Sequence, residues 1–249
     1  MLKFKFFPKF SIIIFFAFIL FTIIGTLSHE YGHITVAKYF GYETHLNYGS
    51  SSFFQKGYFE DKDVKEINEI SKEYSDSKYE ELPKELKLKV EELWIKINKK
   101  FPRNRSNDFW VTIGGPVQTL ITSFIGLLVL FIRQKKWKNK FMVIDWFAVF
   151  MSLFALREVF NFIQALYNSI IHSQSNFHTD EFRISRYLDL NEWVIPSFTL
   201  VLGIVISYYV IFNVIPVKYR YTFILSGLIG GISGFAIWYG FLGNTLFNL

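Results

Sequence analysis

Apolar residues in this chain are gathered into long blocks separated by short basic segments, and that layout decides the fold class before any motif is read. From Phe10 to Leu27 no side chain carries a charge. As a helix such a block is about 27 Å long, close to the ~30 Å hydrocarbon core of a bilayer. Further apolar blocks cover about 109–132, 141–171, 194–215 and 222–247. The expectation is an all-α polytopic membrane protein with about five transmembrane helices. A hydrophobic fraction of 51% and an aromatic fraction of 20% agree with it. Lys3, Lys5 and Lys9 precede the first block as they would in a signal peptide, but no small-residue cleavage site follows, so the block is read as a retained span. The net charge of +6 sits mostly in segments flanking the blocks, where the positive-inside rule accounts for it, and gives no reason to expect nucleic acid as a partner.

The first block runs into HEYGH, His29 to His33. Positions i and i+4 of a helix share a face, so His29 and His33 can present two imidazole nitrogens to one metal ion. Glu30 would stand beside that ion without competing for it, placed to take a proton from an activated water. This is the pattern of a zinc hydrolase. Because the chain has no Cys, disulfides, thiolate metal sites and Cys nucleophiles are excluded together, and a metal must be held by His, carboxylate or amide groups. At 1.5 Å per residue His29 lies about 28 Å beyond Phe10, near the membrane face opposite the N-terminus. The helix is expected to continue to Phe40 and stop at Gly41.

Four segments follow from composition, divided at 1–41, 42–107, 108–192 and 193–249. Residues 42–59 read as a short strand or hairpin, being rich in Ser, Gly and aromatic residues. Residues 60–105 switch to dense alternating charge, and Leu86, Val90, Leu93, Ile97 and Phe101 recur at helical spacing after Pro83, which makes a charged extramembrane helical insertion. The second span opens with GGPVQT, Gly114 to Thr119, where paired Gly beside Pro loosens the helix and admits another backbone, and Gln118 and Thr119 add hydrogen-bonding groups. Small residues serve ordinary membrane-helix packing too. The third block, 141–171, carries Arg157, Asn161, Gln164 and Asn168 on one helix face, which suits protein or water better than lipid. Residues 172–192 supply the remaining candidate ligands His172, His178, Asp180, Glu181 and Asp189. Basic residues at Lys3 to Lys9, Arg133 to Lys140 and Lys218 to Arg220 put those segments and the N-terminus on the cytoplasmic side, and gather HEYGH, GGP and the acidic segment towards the other.

On HEYGH, GGPVQT and the acidic segment, the chain resembles the site-2 protease family of intramembrane zinc metalloproteases, as a divergent bacterial member, over roughly residues 10 to 190. The resemblance implies Zn2+ as cofactor, His29 and His33 as ligands and Glu30 as the catalytic residue that activates water. The family's third ligand is an Asp, often within LDG, which this sequence lacks. Asp180 in HTDEFR and Asp189 in YLDL compete for the role, and the likeness of HTDEFRISRYL to the acidic segment of divergent bacterial relatives favours Asp180. In the family's GPxxN-like motif an Asn orients substrate; Thr119 takes its position here, with Gln118 beside it. Gln118, Thr119, Gly115 and Asn161 are thus the expected substrate-binding positions. Several family members keep their zinc nearer the cytosol, whereas the charge pattern here puts it nearer the outer face.

The function this implies is hydrolysis of a peptide bond in a membrane-embedded or juxtamembrane substrate, by an integral multi-pass protein of the cell membrane, with the lipid bilayer as its surroundings. Two other readings are a metal-binding transport or assembly protein that keeps the site without the activity, and a peptidase acting on soluble peptides at the outer face.

Overall fold

The computed structural model describes residues 5–74, 81–172 and 177–247, so Lys3 and residues 173–176 of the polar segment lie outside it. The chain is an all-α polytopic membrane protein with a small two-stranded sheet. Its first helix, α1 (Pro8–Tyr39), starts with Pro at its first position, where a missing N–H removes nothing from the helix. It runs unbroken through HEYGH. Gly41, at φ +79°, ends it, with the Tyr42 N–H donating back to the Ala37 carbonyl. Ile12, Phe16, Leu20 and Ile24 form an exposed stripe at fourfold spacing along α1, as a lipid-facing surface requires.

After α1 come β1 (Glu43–Leu46) and β2 (Ser51–Phe54), an antiparallel hairpin in which Leu46 pairs with Ser51 and Glu43 with Phe54. Helices α2 (Lys62–Glu73) and α3 (Lys84–Lys100) then pack on each other through Val64, Ile67, Leu93 and Ile97. The apolar stripe read from the sequence therefore closes a private core with α2. Helix α4 (Arg105–Ile132) is capped by the Asn104 side chain, which accepts from the Ser106 and Asn107 amides. The helix continues through Gly114, Gly115 and Pro116, and the Gly–Gly–Pro run admits another backbone, as expected of it.

The third apolar block is not one continuous span. After α5 (Gln134–Asn139) it divides into α6 (Val143–Ser152), a 3-10 turn at Leu153–Ala155, and α7 (Leu156–Ile171). At 1.5 Å per residue α6 and α7 are about 15 and 24 Å long, each short of the hydrocarbon core. Among the described residues four single helical stretches are long and apolar enough to cross a membrane: α1, α4, Val194–Val214 and Val217–Phe247. Asp145 is fully buried at the start of α6, where Arg133 grips it at 2.7 Å, and Glu158 is buried just after the turn. The divided block still follows α1, with Trp146 beside Phe10, Phe150 stacked on Phe21 and Phe154 against Gly25.

The last helices are α8 (Asp180–Tyr187), α9 (Val194–Tyr209), α10 (Val217–Ile237) and α11 (Gly243–Phe247), with π-helical turns at Val210–Val214 and Trp238–Leu242. As its glycine content suggests, α10 packs closely: Gly227, Gly230 and Gly234 receive Phe15, Phe18, Ile19 and Thr22 of α1. The Phe7 amide donates to Thr222 and Ser11 bonds Ser226, so α1 and α10 start at the same end. Tyr219 touches Phe10 and Trp146 there, which brings the described basic segments together at the end opposite HEYGH.

Lys100 reaches Asp61 at 2.7 Å and Asp63 at 2.6 Å, fastening the end of α3 to the start of α2. The Lys100 contact holds Asp61 below the usual carboxylate range, with burial opposing it, and the two carboxylates raise Lys100. A depressed carboxylate contributes stability above its unfolded pKa and loses it as pH falls through the folded value. A raised lysine contributes below its unfolded pKa and loses it as pH rises through the folded value. Protection of the amides in the first turn of α2, taken relative to intrinsic exchange at each pH, should therefore be greatest through the neutral range and fall in acid and in strong base. Lys100→Met should flatten both limbs, as hydrogen-exchange mass spectrometry across pH would register.

Candidate metal centre

The site is built where α1 crosses α4. A side chain at Gly32 would overlap the Gly114 carbonyl, and one at Gly114 would meet the Gly32 backbone, so the helices touch backbone to backbone. Membrane helices associate through such small-residue contacts because lipid offers little hydrophobic drive. Gly115, one residue on, lies directly beneath the imidazoles, and a β-carbon there would collide with His29 Nε2 and His33 Nε2.

Both rings are fixed through Nδ1. His33 Nδ1 lies 2.7 Å from the Val111 carbonyl, an acceptor only, so it carries a proton and donates. His29 Nδ1 lies 3.0 Å from Thr119 Oγ1. The Thr119 hydroxyl can accept from that nitrogen, and with Nδ1 so protonated in each ring the Nε2 atoms, which face each other at 3.3 Å, would keep their lone pairs. Asp180, the first residue of α8, adds Oδ2 at 3.0 Å from each of them, while its other oxygen turns toward Arg183.

Three electron-pair donors at 3.0–3.3 Å from one another form an arrangement that a cation relieves. Ligands of a tetrahedral ion bound at about 2.0–2.1 Å stand about 3.3 Å apart, so the spacing fits. The histidines are buried, at 1% and 7% exposure. His29, Glu30 and His33 also offer ligand atoms that all lie within 4.8 Å of one another, and this group could hold a metal ion. Between the two carboxylates, Asp180 has the closer approach, and Glu30 is bonded elsewhere, accepting from Ser51 Oγ at 2.9 Å.

The other sequence candidates fall as follows. Asp189 does not reach the cluster: it is exposed, at φ +53°, and its carboxylate lies 3.6 Å from the Arg105 guanidinium. Thr119 is buried against His29, where its hydroxyl lies on the ring's Nδ1. Gln118 packs against Gly32, gives its amide N–H to Thr122, and keeps a buried Oε1 with no partner among the described residues. Gly115 is spent on accommodating the imidazoles. No described contact links Asn161 to the cluster, Gln164 is exposed, and the buried residues of α7 are Glu158 and Ala165. His45 packs on Phe59, His172 on Tyr167, and His178 is exposed. Two participants were missed. Val111 acts through a backbone carbonyl, which no sequence pattern marks, and Ser51 sits in a Ser run that signals only a turn.

Comparisons of the chain with protein-family models, with curated proteins and with solved structures find no match.

Purified protein is expected to bind one divalent ion per chain. His29→Ala and Asp180→Ala should abolish or sharply weaken that binding, Asp189→Ala should leave it intact, and Thr119→Val should lower affinity about tenfold by releasing the His29 ring. Equilibrium dialysis with metal analysis separates these outcomes.

Proposed function

We propose that the chain is an intramembrane zinc endopeptidase of the site-2 protease kind, cleaving membrane-embedded or juxtamembrane peptides. The observation that carries this reading is the group of three mutually facing donor atoms, with a fourth side chain, Glu30, beside them but engaged by Ser51. Two imidazoles and a carboxylate form a borderline donor set that suits zinc, and three protein ligands leave a position open. Zinc bound there would polarise a carbonyl and acidify a water.

The protein's own groups carry the remaining steps. Val111 and Thr119 hold the imidazoles in the tautomer that presents Nε2, and Asp180 supplies the negative charge that balances the ion. Glu30 accepts a proton from the attacking water and returns it to the leaving amine, the work of a buried general base. Gln118, with its unpartnered Oε1 on the α1–α4 crossing, is suited to accept a substrate backbone N–H. A substrate helix has to unwind before it can present a peptide bond, since a regular helix shields its own backbone.

We place the protein in the cell membrane with its basic end, and hence its N-terminus, in the cytoplasm, and the site towards the outer face. Glu30→Gln should lower cleavage of a membrane-anchored peptide by at least about a hundredfold while bound metal stays at the wild-type level. Full turnover in that variant would refute the mechanism, and a role in metal transport or assembly would leave it indifferent to the change. A soluble copy of the same peptide should be cleaved far more slowly; equal rates would identify a peptidase of the outer surface instead.

A further inference from the structure

We infer that Ser51 is a positioning residue for Glu30, set in place by a hairpin whose tip is docked on the last helical segment. The inference rests on the hydrolase reading above and extends it to a residue outside the helical motifs. The Ser51 hydroxyl donates to Glu30 Oε2 at 2.9 Å, a contact across 21 residues of chain. A carboxylate on three rotatable bonds has many orientations available even when buried. A hydrogen bond to one charged oxygen is among the stronger single restraints a neutral side chain can supply, and it leaves Oε1 for the proton.

Ser51 is itself constrained. It opens β2 and pairs with Leu46 across the turn of the hairpin. The Asn47 amide closes that turn onto the Ser50 carbonyl at 2.8 Å. The turn is pinned from outside, because the Trp238 indole N–H donates to the Tyr48 carbonyl at 2.7 Å. Gly49 lies so close to the Tyr239 ring, and Gly243 to the Tyr48 ring, that a β-carbon at either would overlap its neighbour. Trp238 is almost fully buried and begins the π-helical turn at Trp238–Leu242. A continuous run of contacts therefore leads from the final helical segment through the hairpin tip to the general base. Preorganisation of this kind acts on the chemical step, since the hydroxyl contact of Ser51 is with Glu30 and not with either imidazole or Asp180.

The test compares wild type, Ser51→Ala, Ser51→Thr and Glu30→Gln in two ways. The first loads each protein with cobalt(II) as a visible probe of the metal surroundings, which needs no turnover. Ser51→Ala is expected to bind cobalt with wild-type stoichiometry and affinity but to shift the visible bands in the direction that Glu30→Gln shifts them, and Ser51→Thr to restore the wild-type spectrum. The second measures the zinc forms on a membrane-anchored peptide. There kcat should fall about tenfold in Ser51→Ala with KM within about twofold, and Ser51→Thr should recover most of the rate. Wild-type bands and rate in Ser51→Ala would overturn the inference. Loss of cobalt binding in Ser51→Ala would overturn it equally, because Ser51 would then be part of the metal site or of the fold. If no form, wild type included, cleaves any peptide, the hydrolase reading fails, and the cobalt comparison alone decides whether Ser51 governs Glu30.

Discussion

The structure depends first on one crossing, where Gly32 of α1 and Gly114 of α4 bring two helix backbones into direct contact. At that separation the Val111 carbonyl falls within reach of His33, and the Thr119 hydroxyl within reach of His29. Gly115, which would obstruct both rings with any side chain, becomes the floor of the site. The glycine pair therefore acts as metal-site architecture as much as packing. A larger residue at either position would push apart the donors that fix the rings before it disturbed the rings themselves.

Around that crossing the chain handles charge as a membrane protein has to. Ionisable groups at depth are retained where they are paired or serve a purpose. Asp145 is clamped by Arg133 where α4 turns back into α6, and Asp180 faces two imidazoles. Glu158 and Glu181 are buried at 1% and 2% exposure close to the site, one on α7 and the other next to Asp180. The third apolar block changes from α6 to α7 through a single 3-10 turn.

Much of this was legible in the sequence, because the relevant signals are local. Helical spacing put His29 and His33 on one face, Gly41 marked the end of α1, and uninterrupted apolar length identified α1, α4 and the last two spans. The choice between Asp180 and Asp189 also had the favoured outcome in geometry, although for a reason the sequence does not contain: Asp180 starts a helix aimed at the histidines, whereas Asp189 sits in a left-handed turn facing solvent. What stayed hidden is tertiary. The sequence treats Thr119 as a polar group near a Gly-Pro motif; only the crossing of α1 and α4 reveals that it faces a ring nitrogen. The 3-10 turn at Leu153–Ala155 escaped because its residues are as apolar as the helices on either side.

Asp180 differs from the other members of the cluster in the part of the molecule that carries it. Both imidazoles belong to a 32-residue helix held along its length by α4 and α10, while the carboxylate rides on the 8-residue α8. An ion shared by the three would join a rigid partner to a short one, and by thermodynamic linkage its affinity would include the free energy of seating α8. Any change that loosens the seat of α8, even one remote from the histidines, would then register as weaker affinity for the ion, and occupancy would in turn report on how firmly that short helix is moored.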